Sequence, residues 1–333
     1  MAKIPTTQSA IVVKDIGKPM ILVRVTVGGL NPHDQYARDF GLFIGDDLPN
    51  LLANDVVGVV TALGESANRF KVGDRIFAQA SGKKSRGLQE YAVLDEDYAA
   101  KVPEGFSDDE AATLPTNIIA VVIGFFAPSN LAIPAPWTNK TTTEDTILII
   151  GGGSNCGRFA VQLARLSGFT RIVVVGGREA ELKSYGATHV VDRHGGHEVV
   201  TKRVRDIVDD DLTLAFDAVS LPGEQHLAIN ALSNSRTGKL ARLLSLQGSV
   251  QEHLVLPKQS EYELKNVMGA SPLNPDATVP FWKIVTDWLV QGELQALEYV
   301  SVSGLDVAKV NEVLDGYGSG NRPKQTHFSI SKI

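Results

Sequence analysis

The run Thr146-Ile147-Leu148-Ile149-Ile150 leads directly into Gly151-Gly152-Gly153-Ser154-Asn155-Cys156-Gly157, and then into an amphipathic stretch over residues 159–166. An aliphatic run without polar alternation belongs to a strand buried on both faces, as in a parallel sheet. A glycine-rich turn between such a strand and a helix lets the backbone approach a ligand closely. The first N–H groups of the helix and its dipole favour an anion there. The spacing is Gly152-x-Ser154-x-x-Gly157, with serine where the dinucleotide fingerprint has its second glycine. The small side chain still admits a pyrophosphate, and its hydroxyl can donate to it. Gly157 permits close helix–strand packing. Gly152, Gly153, Ser154, Asn155, Cys156 and Gly157 are therefore candidate cofactor-binding residues.

The pattern after this turn is what gives the turn meaning. Strand-like runs at Arg171–Val175, His189–Val191, 214–219 and 240–246 alternate with helical stretches over 180–185, 198–208 and 224–232. This spacing predicts an α/β unit with a doubly wound parallel sheet, in which ligands bind at the carboxyl ends of the strands. Ser220 and Leu246 fall at two such ends and are further candidates. An NAD site usually carries Asp or Glu at the tip of the second strand, for the ribose 2′-hydroxyl. Here Val175 is followed by Gly176-Gly177-Arg178. Gly177, Arg178 and Lys183 suit a 2′-phosphate instead, so NADPH is the expected cofactor.

The first hundred residues read differently. Short β-branched runs at 10–13, 21–27, 56–63, 70–77 and 91–94, punctuated by Gly and Pro, predict a β-rich domain. Ser107-Asp108-Asp109-Glu110 has the form of a helix N-terminus. A buried helix is expected over 118–126, then a polar loop over 128–144 that lies on the surface or folds over a site. Residues 279–289 place Phe281, Ile284, Val285, Trp288 and Leu289 on one helical face, residues 307–314 form another helix, and 326–330 a strand. The expected division is 1–122 plus 275–333 around an inserted nucleotide unit at 123–274.

Composition narrows the partners. A net charge of -6 and no basic run longer than Lys83-Lys84 argue against nucleic acid or an anionic membrane. One cysteine excludes an intrachain disulfide and a multi-cysteine zinc site. The N-terminus lacks the apolar core of a signal peptide and no run is long enough to span a membrane, so the cytosol is the expected compartment.

Several segments occur in a telling order: Asn31-Pro32-His33-Asp34, Gly58-Val59-Val60, Arg69-Phe70-Lys71-Val72-Gly73-Asp74-Arg75-Ile76-Phe77, Ala111-Ala112-Thr113-Leu114-Pro115, Val161-Gln162-Leu163-Ala164 and Lys183-Ser184-Tyr185-Gly186-Ala187. With them the chain resembles the medium-chain dehydrogenase/reductase superfamily over nearly its whole length. It is most similar there to the zinc-free quinone oxidoreductases and the fungal trans-acting enoyl reductases. That resemblance implies a GroES-like β-rich domain, completed by the C-terminal segment, into which the Rossmann-type sheet is inserted. It also implies a place in fungal secondary metabolism, with a homodimer or a polyketide synthase as partner. Zinc enzymes of the superfamily carry Cys where Asn31 stands and His where Asn54 stands, so no metal is expected. Two departures stand out. The approach to the second strand is nearly missing between residues 17 and 21, and Ala120 stands where a threonine commonly approaches the nicotinamide.

A metal-free site polarises a ketone or alcohol weakly but can deliver hydride to an acceptor that already has a polarised double bond: an enone, an enoyl thioester or a quinone. By resemblance, Asn31 orients nicotinamide or substrate, Tyr36 donates to the carbonyl and Phe43 forms an apolar wall; Asn117 is a further candidate substrate-binding residue. Two other readings stay open: metal-free carbonyl reduction or alcohol oxidation, and an NADPH-binding sensor or partner protein without catalysis. Cys156 reads as a small packing residue, and His189, His194 and His197 as a solvated loop rather than ligands.

Overall fold

The structure is a computed structural model that describes residues 20–138, 145–243, 248–320 and 324–330. The strand expected at 10–13, the missing approach at 17–19, and residues 139–144 of the polar loop lie outside the described residues, as does Leu246.

The β-rich part opens with β1 (Met20–Gly29), α1 (Pro32–Phe40), β2 (Asp55–Leu63), β3 (Arg75–Gln79), β4 (Tyr91–Asp95) and β5 (Ala99–Lys101). Two helices follow, α2 (Asp108–Ala112) and α3 (Pro115–Phe126). The α/β unit comprises β6 (Thr146–Ile150), α4 (Asn155–Leu166), β7 (Arg171–Val175), α5 (Glu179–Tyr185), β8 (His189–Val191), α6 (His197–Val208), β9 (Leu214–Asp217), α7 (His226–Ala231), β10 (Gly238–Arg242) and β11 (Tyr262–Asn266). The chain then returns through α8 (Pro275–Val290), β12 (Tyr299–Ser303), α9 (Val307–Gly318) and β13 (Gln325–Ser329).

All neighbours in the second sheet are parallel, in the order β11-β10-β9-β6-β7-β8. The chain builds outward from β6 to β8, then restarts on the other side of β6 with β9. A crevice opens at that reversal, at the carboxyl ends of the strands. β6 is buried at every residue, as its aliphatic run requires. Six strands are present where the alternation showed five. The extra one, β11, is a half-buried edge strand of sequence Tyr-Glu-Leu-Lys-Asn, too polar to stand out as a strand.

The first sheet runs β12-β13-β1-β2-β3-β5, with β4 also on β1. β13 is antiparallel to β1, with Gly29 opposite His327, so residues from both ends of the sequence close this sheet. The Rossmann-type sheet is thus inserted into the β-rich domain. The proposed limits at 122/123 and 274/275 fall within α3 and at the start of α8.

Ser107 caps α2 as its sequence indicated. Its hydroxyl accepts from Glu110 N at 3.1 Å, and the Glu110 carboxylate accepts from Ser107 N at 2.8 Å. α3 and α8 share one core with a face of the second sheet, including Ile118, Val122, Phe125, Phe216, Phe281 and Trp282. The segment after α3 departs from expectation. Residues 128–138 are neither a loose surface loop nor a flap: Ile133 N bonds to Phe125 O at 2.8 Å, and Trp137 packs edge-on against Phe126 with centroids 5.1 Å apart. The apolar Leu131, Ile133 and Trp137 decided this over the prolines.

α1 is an element that the sequence pattern had not indicated. Pro32 occupies the first helical turn, where its missing N–H has no cost, and the Asp34 carboxylate accepts from Asn31 N at 2.9 Å. Gly41 ends the helix at φ 70.

Candidate active site

The glycine turn sits at the reversal of strand order. Gly151 takes φ 86 and bonds through its N–H to Val175 O at 3.0 Å, tying the turn to β7. A β-carbon on Gly151 would stand 2.5 Å from Val219, in the loop after β9. At Gly157, one would stand 2.1 Å from Gly151 O. No other residue fits at Gly157, because α4 starts against the turn itself. Gly152 is buried against β7, whereas Gly153 is exposed, and Asn155 and Cys156 are half-buried in the first turn of α4. This cradle of close backbone and helix N–H groups fits a pyrophosphate.

Ser154 plays a different part from the one its position suggested. Its hydroxyl donates to Gly151 O at 2.8 Å and accepts from Gly157 N at 3.0 Å. The hydroxyl proton is thus given to Gly151 O, while the oxygen caps α4.

Beyond β7, Gly177 packs against the turn; a β-carbon there would meet Gly153 N at 2.8 Å. Arg178 is exposed and ion-paired with Glu181 at 3.1 Å and Glu298 at 3.4 Å. Lys183 pairs with Glu179 at 2.7 Å. Both cations stand at the right edge, but each has carboxylate neighbours of its own. Arg193, just after β8, is a residue the sequence reading missed. Its Cδ would lie 3.3 Å from a β-carbon on Gly176, at the tip of β7, and no carboxylate pairs with it among the described residues. Ser220 N donates to Asp217 Oδ1 at 2.8 Å, which shapes the loop on the far side of the crevice. Burial pushes the Asp217 carboxyl up from the ordinary range, more than these backbone donors lower it.

A second assembly lies where the two parts of the molecule meet. Asp55, the first residue of β2, is wholly buried. Its Oδ1 accepts from Thr116 N at 2.6 Å, and its Oδ2 from Asn31 Nδ2 at 2.6 Å and Gln325 Nε2 at 2.8 Å. Asn31 Oδ1 accepts from Asn117 Nδ2 at 3.0 Å. Gln325 Oε1 accepts from Asn117 Nδ2 at 3.2 Å and from Asn155 Nδ2 at 2.9 Å. Cys156 Sγ contacts Asn117 Oδ1 at 3.6 Å. The turn that would hold pyrophosphate is thus joined to the β-rich domain by carboxamides.

Burial pushes the Asp55 carboxyl up, and its donors, with the charge of His33, work against that rise. The Cys156 thiol is pushed up to about 12, by burial first and by the Asp55 charge second. It stays protonated, in keeping with a packing role.

Asn31 and Asn117 therefore come together at the turn, along with Asp55 and Gln325, which had drawn no notice. Asn31 keeps one N–H beyond its bond to Asp55. Tyr36 is half-buried in α1, with its ring 6.0 Å from that of Phe40. Phe43 lies at φ 62 in the turn after α1 and is 60% exposed, which is more open than the wall of an apolar cleft. Ala120 packs against the segment after β11, its Cβ 3.1 Å from where a β-carbon on Gly269 would stand. Among the described residues no three His, Cys, Asp or Glu are placed to share a metal ion. His197 is not part of a solvated loop: it opens α6 and lies 2.7 Å from His226 Nε2, whereas His189 and His194 are exposed. His226, far along the chain, gave no local sign of this pairing.

Comparison with known proteins fits this geometry. Residues 17–104 match the family described as the alcohol dehydrogenase GroES-like domain. The chain is 32% identical to the dehydrogenase azaJ of Aspergillus niger over 204 residues, 57% of this chain and 59% of that protein, so it spans less than two thirds of that relative's length. It is 25% identical to the trans-enoyl reductase himH of Aspergillus japonicus over 94% of this chain and 90% of that one. Among solved structures, the CurK enoyl reductase superposes with TM-score 0.71 at 18% identity, covering 94% of this chain and 91% of its own. A quinone oxidoreductase of Pseudomonas syringae gives TM-score 0.71 at 20% identity, over 96% and 94%. At these identities the two structures speak for the fold.

Proposed function

We propose that this chain is a medium-chain dehydrogenase/reductase that acts as an NADPH-dependent reductase of activated C=C bonds and works without a metal. The observation that carries this reading is the join between the glycine turn and the buried carboxamides, through Asn155 and Gln325 at 2.9 Å. It sets the glycine turn directly beside a buried cluster of carboxamides around Asp55. Relatives named trans-enoyl reductases support a C=C acceptor.

The turn at 151–157 holds the pyrophosphate with backbone N–H groups. Arg178, Lys183 and Arg193 take the 2′-phosphate, with Arg178 and Lys183 exchanging carboxylates on α5 for it. When bound, NADPH supplies a hydride. Asn31, fixed by Asp55 and Asn117, offers its remaining N–H to the substrate carbonyl or the nicotinamide amide. The Tyr36 hydroxyl donates to the oxygen on which negative charge grows, and that stabilisation is what speeds the transfer. Phe43, exposed in the turn after α1, is the candidate apolar wall for the substrate. Ser220 and Leu246 border the nicotinamide half.

Purified protein mixed with NADPH and a panel of enones, quinones, enoyl thioesters, aldehydes and ketones tests this. NADPH oxidation is expected with the first three classes and is expected to persist with a chelator present. Oxidation by aldehydes and ketones alone would transfer the proposal to carbonyl reduction. Tight NADPH binding with no oxidation across the panel would leave a nucleotide-binding protein without catalysis.

A further inference from the structure

Arg178 follows Gly176-Gly177 at the tip of β7, and a β-carbon on Gly177 would meet Gly153 N of the turn at 2.8 Å. In sheets of this kind that tip faces the 2′ position of the cofactor ribose. The guanidinium reaches in two directions. Its Nε pairs with Glu181 on α5 at 3.1 Å, and its Nη2 with Glu298 at 3.4 Å. Glu298 does not belong to the α/β unit. It immediately precedes β12 in the C-terminal segment, and its other oxygen pairs with Lys324 Nζ at 3.1 Å. β12 and β13 are parallel, with Tyr299 opposite Gln325, so the backbone register itself sets Glu298 beside Lys324. Gln325 Oε1 in turn accepts from Asn155 Nδ2, in the first turn of α4, at 2.9 Å. The start of β13 is thereby tied to the glycine turn, and Glu298 is carried to Arg178. One carboxylate bridges two cations, one from each part of the molecule. Lys324 first, and Arg178 second, hold its carboxyl below the ordinary range, so it stands there as an anion.

We propose that Glu298 occupies the seat of the cofactor's 2′-phosphate, and that NADPH displaces it so that Arg178 and Lys324 both close on the phosphate. This rests on the reading above that NADPH binds at the turn with its 2′-phosphate at Arg178. A phosphate monoester carries about 1.5 to 2 negative charges at neutral pH and three acceptor oxygens, so it outcompetes a single carboxylate for the two cations. NADH brings only a 2′-hydroxyl to that place. It has no charge with which to open the bridge, and it leaves Glu298 where it is. Glu298 therefore weakens NADPH and not NADH, whereas Lys324 strengthens NADPH and not NADH. All three side chains are exposed, which lets the bridge open. The same exposure keeps each effect to a few-fold, as for other ion pairs at a surface.

The test is the equilibrium affinity of NADPH and of NADH, measured by calorimetry without substrate. Glu298→Gln is expected to tighten NADPH about threefold to fivefold and to move NADH by less than about 1.5-fold. Lys324→Ala is expected to weaken NADPH about threefold and leave NADH unchanged. Glu293→Gln removes a carboxylate from the same segment that pairs with Arg165 instead, and should move neither nucleotide. In an Arg178→Ala background, the gain from Glu298→Gln should shrink to less than about twofold, because the two side chains act as a pair. Unchanged or weaker NADPH binding in Glu298→Gln would overturn the proposal. So would an equal gain in Glu293→Gln, which would mark a general effect of net charge, or an NADPH affinity that Lys324→Ala leaves alone. Binding of neither nucleotide would break the functional reading itself, and a wild-type preference for NADH would break the cofactor assignment. A wild-type preference for NADPH that Glu298→Gln does not move would break only this inference.

Discussion

The glycine turn and the Asp55 cluster meet at Asn155 and are made in opposite ways. The turn is local: residues 151–157 fold against β7 and α4, and what they offer a ligand is backbone. The cluster is assembled from Asn31, Asp55, Asn117, Asn155 and Gln325, which belong to separate elements, and what it offers is side-chain charge and amide geometry. A backbone site fails when an atom is added to it. A side-chain site fails when a hydrogen-bond partner is removed, since the remaining buried groups are left unsatisfied.

Three substitutions can break or sharpen that contrast. The largest effect is expected from Gly157→Val. The new β-carbon would overlap Gly151 O, 2.1 Å away, so α4 must shift. A loss of about 4 kcal/mol in denaturant unfolding, with no measurable nucleotide binding, is expected. A folded, nucleotide-binding variant would show that the turn is less tightly built than described. Gln325→Leu should come next. It removes one donor to Asp55 and one acceptor from Asn155, at about 2 to 3 kcal/mol of stability. Loss of stability with unchanged NADPH affinity would separate the cluster from the turn and weaken the comparison. Arg178→Ala should have the smallest effect, because its side chain is exposed and its present ion pairs are at the surface. It is expected to raise the KM for NADPH about tenfold and leave that for NADH unchanged. An unaltered NADPH-to-NADH preference would remove Arg178 from the 2′-phosphate site and leave Arg193.

The same contrast explains what could be read from the sequence. β6, the turn and α4 were legible because their pattern is continuous in the chain and each residue's role is set by near neighbours. The strands around them followed from aliphatic runs, and the failures came where burial does not mark the residues. β11 is polar because it lies at an edge, and α1 hides behind an Asn-Pro pair that also suits a turn. In the cluster, Asn31 had been named through family resemblance and Asn117 as a substrate candidate, yet Gln325 and Asp55 carry no local mark. A glutamine before a strand and an aspartate after an asparagine become informative only once β13 lies beside β1 and α3 abuts β2. For Ser154 the expectation was a bond to phosphate, whereas its hydroxyl donates to Gly151 O and accepts from Gly157 N at the start of α4.

The strand β13 sets an order of events. It pairs with β1 across almost the whole length of the chain and carries Gln325 into contact with Asn155. The parallel sheet from β6 to β11 can form from contiguous sequence while that strand is still on the ribosome. The β-rich domain cannot close until it emerges, since its most distant contact carries the largest loop-closure entropy. Asp55 is therefore enclosed last, so a nascent chain holds the finished glycine turn before it holds the finished carboxamide cluster.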